Sequence, residues 1–332
     1  MDFEILIPEH LAGRQWKSIL RGEFGASERL LRQFARDNAV FVNGQPVYLT
    51  ARADHGDVLT VHLPRETSSV APEPIPITIA YEDSEILVVN KPPGMLTHPS
   101  AKEKYGSLLA GANAHLAQSG LVAHCVHRLD KDTSGLVMMA KHAHFHHLFD
   151  HALRHGLIHR TYVAIVDVKP PPDEQALREG EWHTINLPIG QDRASPSKRT
   201  IDEEEGRTAI THYQVLERAG NYALMGIMLE TGRTHQIRLH FSAIGMALSG
   251  EPHYGNQAPD GPQSGADLLM RRPRGPRLRR QALHAAVLRW EHPLTKERFE
   301  IFAKAPADLA SFWDEVGGHK ENFALAHDLQ RG

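Results

Sequence analysis

Two spacings of apolar residues run along the chain, and the points where one gives way to the other mark its elements. Leu30, Leu31, Phe34 and Ala35 fall on one face at helical spacing, behind Ser27, a residue type that caps helix starts. Residues 39–42 then read as a strand. Asn43-Gly44 supplies a tight hairpin turn, because both residues tolerate positive φ, and Val47 begins the return strand. A second turn at His55-Gly56 leads into a strand over 58–61. Residues 1–64 therefore form one small α+β unit. Residues 65–76 hold three prolines, two serines and a threonine, the composition of a stiffened linker.

From residue 77 the pattern changes. Strand-like runs fall at 77–80, 86–89, 135–140, 162–166, 222–229, 282–288 and 299–302. Helical spacing falls near 106–116, 143–153 and 234–243. Strands outnumber helices without alternating with them. The spacing predicts an α+β catalytic-sized domain over 77–310 on a large mixed, mainly antiparallel sheet. The segments 169–173, 190–199 and 256–280 read as surface loops. Residues 311–332 read as a tail with one short helix.

Composition narrows the class. The chain has 332 residues, of which 41% are hydrophobic and 23% charged, so it can build a core and is not disordered throughout. No apolar run reaches the ~18 residues of a membrane helix. The start carries Asp2, Glu4 and Glu9 and no basic-then-apolar signal pattern. The lone Cys125 excludes an internal disulfide and any multi-cysteine metal site. The expectation is a soluble cytoplasmic monomer. A net charge of −3 does not by itself announce a nucleic-acid partner.

Two stretches concentrate chemistry. His127-Arg128-Leu129-Asp130-Lys131-Asp132-Thr133-Ser134-Gly135-Leu136 places two carboxylates, two cations and two hydroxyls before an apolar strand. A cation beside Asp130 would keep it ionised, fit to act as nucleophile or general base; a salt-bridged turn is the bland alternative. Thr231-Gly232-Arg233-Thr234-His235-Gln236-Ile237-Arg238-Leu239-His240 follows a strand. If it is helical, Thr234, Ile237 and Arg238 share a side, from which Arg238 could reach a carboxylate on another loop. An ordinary amphipathic helix is the alternative.

These stretches carry a resemblance. The first reads His-Arg-Leu-Asp-x-x-Thr-Ser-Gly-Leu and is similar to the signature of the RluA-type pseudouridine synthases. The second resembles another block of that family. Asn90-Lys91-Pro92-Pro93-Gly94, Arg160-Thr161-Tyr162, Gly250-Glu251-Pro252 with Tyr254-Gly255, and Leu283-His284-Ala285 resemble four more, all in the family's order. Residues 1–64 resemble the S4 RNA-binding module through 25–32, Val40 to Gly44 and Gly56-Asp57. Residues 1–65 hold eight basic and eight acidic side chains, so this copy is not basic overall. Arg160 and Glu251 depart from the Lys and Asp common in the family.

The resemblance implies isomerisation of uridine to pseudouridine in RNA, ribosomal RNA before transfer RNA, with the target base flipped out. Atoms are conserved, so no redox carrier, nucleotide or metal is required. It implies that Asp130 is the essential carboxylate, that Arg238 pairs with it, and that Tyr162 stacks on the uracil near C5. Arg128 would fill the gap left by the flipped base, and Leu136 and Ile237 would wall the pocket, though core packing suits both. Arg271, Arg272 and Arg274 belong to a run of six arginines in ten residues suited to phosphate. His147, His151 and His155 share a spacing that could bind metal, but without a His-Glu-x-x-His motif a polar surface is the better reading. A non-catalytic RNA binder is the competing class.

Overall fold

The structure is a computed structural model that describes residues 2–168, 174–193, 195, 198–255 and 278–329. The N-terminal unit consists of strand β1 (Asp2–Leu6), helices α1 (Trp16–Gly22) and α2 (Glu28–Asp37), and strands β2 (Val40–Val42), β3 (Gln45–Pro46) and β4 (Val58–His62). Its sheet runs β1-β4-β2-β3. Ser27 Oγ accepts from the Leu30 amide at 3.2 Å, and α2 ends at Asn38 in the left-handed region. Asn43 and Gly44 turn the hairpin at φ 48° and 80°. Strand β1 and helix α1 were not evident from spacing. The five residues of β1 carry two acids, and α1 shows too few turns to declare a face.

The larger body is one ten-stranded sheet. Its strands are β5 (Thr78–Glu82), β6 (Ile86–Lys91), β7 (His124–Cys125), β8 (Ser134–Ala140), β9 (Ile158–Asp167) and β10 (Trp182–Asn186). The small hairpin β11 (Ile189–Gln191) and β12 (Arg199–Ile201) stands apart, and β13 (Ile210–Ala219), β14 (Tyr222–Leu229), β15 (Leu283–Glu291) and β16 (Arg298–Phe302) complete the sheet. The order is β10-β13-β14-β9-β15-β8-β6-β5, with β16 on β15 and β7 on β8. Every ladder is antiparallel except β8 with β15, which meet at Ser134–His284 and Gly135–Ala285. That crossing is tight. A Cβ on Gly135, at φ 115°, would lie 2.2 Å from the Ala285 carbonyl oxygen, so only glycine fits.

Helices cover both faces: α3 (Leu108–Leu116) and α5 (Gln236–Ala243) one, α4 (Ala143–Arg154) and α6 (Ala307–Glu315) the other. Alternation along β8 and β9 deals their side chains between the two. Val137, Met139, Tyr162 and Ala164 face α3 and α5, whereas Leu136 and Met138 face α4, and Val163 and Ile165 face α6.

The expected linker and tail are both packed. Val70 is buried, and Asn113 of α3 donates to Ser68 Oγ at 2.9 Å and to the Val70 carbonyl at 3.0 Å. Beyond residue 310, Phe312, Trp313 and Phe323 are buried under the sheet. Their apolar side chains are spread among polar ones, which hid them in the sequence. The N-terminal unit is not separate either: Phe3 and Phe24 pack on Phe145 and His144 of α4, and one continuous core joins the two. Removing a buried ring costs about 3–5 kcal/mol. Phe24→Ala should therefore lower stability by at least about 3 kcal/mol, with both units still melting in one calorimetric transition. Two resolved transitions in the wild-type protein would contradict a shared core.

Candidate active site

A cleft of about 1290 Å³ opens on the α5 face of the sheet. Its floor is the loop that precedes β8, which carries Arg128 and Asp130. Several buried side chains hold that loop. Thr97 Oγ1 donates to the Leu129 carbonyl at 2.8 Å and accepts from the Leu129 amide at 3.1 Å. Lys91, fully buried at the end of β6, donates to the carbonyls of Pro92, Met95 and Lys131 at 2.8–3.0 Å. Burial lowers its pKa to about 7, against the pull of Asp132 and Asp130. His127 accepts from the Met138 amide, and burial lowers its pKa to about 3, so it is a neutral acceptor. Arg280 clamps Asp308 through two nitrogens and donates to the Asp132 carbonyl at 3.0 Å. His284 donates through Nε2 to the Ala303 carbonyl and bonds Ser134 Oγ through Nδ1.

Asp130 meets Arg238 at the foot of the cleft, 108 residues away in the chain. Arg238 Nη1 donates to Asp130 Oδ2 at 3.0 Å. Its Nε and Nη2 donate to the two oxygens of Glu251 at 2.8 and 2.7 Å. The guanidinium is 4% exposed and the Glu251 carboxylate 1%, so the fork is dry on the Glu251 side and opens to the cleft at Asp130. Burial pushes the Glu251 pKa up, but the Arg238 hydrogen bonds outweigh it and leave it lowered. The arginine itself is raised despite burial, and it sits 5.3 Å from the ring centroid of Tyr254.

The other expected residues divide. Tyr162, on β9, is buried in the cleft wall, its pKa raised chiefly by burial, with Arg160 beside its hydroxyl. Ile237 lines the cleft and packs in the core beneath it. Arg128 is exposed on the cleft rim. Leu136 is not on the wall: alternation along β8 turns it to the opposite face, into the core under α4. The helix after β14 begins at Gln236, not Thr234, so Arg233 lies before the first turn, donating to the Thr208 carbonyl. Arg271, Arg272 and Arg274 lie outside the described residues. Arg280, the last arginine of that run, is buried framework rather than a free phosphate contact.

The crowded histidines take separate posts. His142 caps α4 by accepting from the His144 amide, and His144 stacks on Phe24. His146 reaches the Cys125 carbonyl, and His151 stacks on His155 at 3.9 Å. Among the described residues no three His, Cys, Asp or Glu side chains are grouped to hold a metal. Burial pushes the Cys125 thiol up to about 12, which makes it a poor nucleophile. Spacing alone did not single out Glu251, Lys91 or Tyr254. Their signal was membership of the short blocks around Gly250 and Lys91.

Comparison with known proteins places this arrangement. The family profile described as RNA pseudouridylate synthase matches residues 85–243. The chain is 38% identical over 296 residues to the uncharacterized RNA pseudouridine synthase YlyB of Bacillus subtilis, covering 87% of this chain and 89% of that one. It is 35% identical over 309 residues to ribosomal large subunit pseudouridine synthase D of Pasteurella multocida, covering 91% and 90%. Two solved structures share the fold. Human RNA pseudouridylate synthase domain containing 4 aligns with a TM-score of 0.53 at 21% identity, over 72% of this chain and 92% of that one. Domain containing 1 aligns at 0.51 and 23%, over 73% and 86%. The chain belongs to the RNA pseudouridine synthase family, isomerases that convert uridine in RNA to pseudouridine.

Proposed function

We propose that Asp130 is the catalytic carboxylate of this enzyme and that its substrate is large-subunit ribosomal RNA. The observation that carries the first part is the Arg238 fork, which spends two hydrogen bonds on buried Glu251 and aims the third at Asp130 on the cleft floor. Preorganised in this way, the guanidinium meets the carboxylate with a charge-assisted hydrogen bond and need not reorganise during the reaction. The relatives named ribosomal large subunit pseudouridine synthase D support the second part.

The reaction breaks the C1′–N1 bond, turns the detached uracil, and joins C5 to C1′. Asp130 acts on the sugar, either by attack at C1′ or by taking a sugar proton. The proton on C5 then leaves to solvent and N1 takes one up, so bonds and protons balance without a cofactor. A stacked uridine cannot reach the cleft floor, so the nucleotide flips out, with Arg128 on the rim placed to occupy the gap. The ring of Tyr162 gives the flipped base a stacking surface worth roughly 1–3 kcal/mol. Exposed Arg29 and Arg32 on α2 give the N-terminal unit, whose charges balance overall, a basic patch suited to RNA phosphates, whereas Arg36 is paired with Asp37. Arg271, Arg272 and Arg274 serve the same end.

Tyr162→Phe keeps the stacking ring and removes the hydroxyl that can carry the C5 proton. It should bind RNA within about threefold of wild type, and its turnover should slow after glycosidic cleavage. Tyr162→Ala should lose both binding and turnover. A fully active phenylalanine variant would remove the hydroxyl from the mechanism. The substrate is settled by mapping pseudouridines in RNA from cells with and without the protein. Sites lost from large-subunit ribosomal RNA are the expected result; sites lost only from transfer RNA would contradict it.

A further inference from the structure

His235 stands between the two site stretches and has no part in the mechanism above. It precedes α5 in the left-handed region, at φ 59° and ψ 17°, a conformation uncommon outside glycine but one that histidine enters more readily than most residues. Contacts on both ring nitrogens hold the side chain there. His235 Nδ1 lies 2.8 Å from the Tyr254 hydroxyl, and His235 Nε2 lies 3.8 Å from Asp130 Oδ2.

The hydrogen bonds determine where the protons are. The backbone N–H of Arg199, on β12, donates to the Tyr254 hydroxyl oxygen at 2.9 Å. That amide can only donate, so the tyrosine oxygen accepts there. Tyr254 is 7% exposed, and among the described residues its single proton has one acceptor within reach, His235 Nδ1. Nδ1 is therefore the accepting nitrogen, and a neutral imidazole carries its proton on Nε2. Burial favours that neutral form against the opposing pull of Asp130 and Glu251, with Arg238 and Arg199 acting in the same sense as burial. The Nε2–H is thus turned toward Asp130. Both nearby donors address the same oxygen, because Arg238 Nη1 also meets Oδ2. Among the described residues Oδ1 has no side-chain partner, so it is the oxygen left for the substrate.

We propose that His235 is a positioning residue for Asp130: with its tautomer set by the Arg199–Tyr254–His235 chain, it presents Nε2–H to Oδ2 and so fixes Oδ1 as the reactive oxygen. This rests on the reading of Asp130 as the catalytic carboxylate. The 3.8 Å separation is longer than a hydrogen bond. The contact is therefore a through-space attraction of the Nε2–H dipole for Oδ2, which adds to the Arg238 hydrogen bond on the same oxygen. A polar group that orients a reacting one acts on turnover more than on binding, because misplacement by about 1 Å can cost about 100-fold in rate.

The test uses the full-length enzyme and a large-subunit ribosomal RNA transcript carrying 5-tritiated uridine, from which product formation releases tritium to water. His235→Asn keeps a residue that accepts the left-handed backbone but is too short to reach Asp130. It should lower kcat by about 10- to 100-fold and leave KM for RNA within about twofold. Tyr254→Phe keeps the ring beside Arg238 and removes the hydroxyl, and with it both the proton that sets the tautomer and the acceptor of the Arg199 amide. It should lower kcat in the same direction by a smaller factor. His235→Gly opens a space for free imidazole, which should restore part of its lost turnover without changing KM. Three results would overturn the proposal. One is His235→Asn turning over within twofold of wild type while Asp130→Asn is inactive. The second is loss of kcat together with KM and melting temperature. The third is failure of imidazole to raise turnover of a folded glycine variant. If Asp130→Asn itself stays active, the reading of Asp130 has failed, and the proposal falls with it.

Discussion

Arg238→Met is expected to cost the protein about 3–5 kcal/mol of stability, the range for removing one partner of a buried ion pair, and to lower turnover by about 100-fold or more, as removing a preorganised donor does. Both effects trace to one fork. Glu251, 1% exposed, loses two hydrogen bonds and keeps, among the described residues, the amides of His253 and Tyr254. Asp130 loses the N–H that holds Oδ2. The methionine fills much of the same volume, so a cavity is not the cause. Pairing the change with Glu251→Met separates the two effects. Removing both halves of a buried pair is often close to neutral, so the double variant should regain most of the stability. Its turnover should stay low, because Asp130 is still without its partner. Denaturant unfolding and tritium release measure the two quantities on the same samples. A single variant that loses less than about 1 kcal/mol would contradict the account of Glu251 as a carboxylate dependent on Arg238.

The sheet was legible because its strands are short apolar runs bounded by turns. The seven runs marked on the chain correspond to β5, β6, β8, β9, β14, β15 and β16. Strand β13 was missed although it runs ten residues, Ile210–Ala219. It carries His212, Gln214, Glu217 and Arg218 among its apolar residues and bulges between Val215 and Glu217, which breaks the period of two. The parallel contact of β8 with β15 could not be read from either strand, since their residues lie about 150 positions apart. Its trace was Gly135, required by a backbone approach that no spacing rule reports.

At the site, Asp130, Tyr162 and Arg238 were named from short blocks, and all three line one cleft. What the blocks did not convey is how the site is held. Lys91 spends its three protons on backbone carbonyls, and Arg280 ties the Asp132 carbonyl to Asp308. Arg280 reads in the sequence as one of six arginines suited to phosphate, because a charge in a string of letters carries no burial. Leu136 shows the converse. It belongs to the signature block, but a period of two turns it away from the cleft. The N-terminal unit read as separable because a proline-rich stretch follows it. Its apolar surface is covered by α4, and that partner lies about 80 residues downstream.

The account turns on Asp130, and one measurement addresses it directly. Asp130→Asn removes the charge and keeps the size, so Arg238 still meets an oxygen and the loop remains tied by Thr97 and Lys91. Purified wild-type and variant protein are incubated with a 5-tritiated ribosomal RNA transcript, and tritium release and RNA binding are followed in parallel. The account predicts release from the wild type in the presence of excess chelator, on RNA folded beforehand. It predicts release from the variant at least about 10⁴-fold slower, the scale of losing a covalent or acid–base group, with RNA affinity within about threefold. Turnover by Asp130→Asn within tenfold of wild type would contradict it.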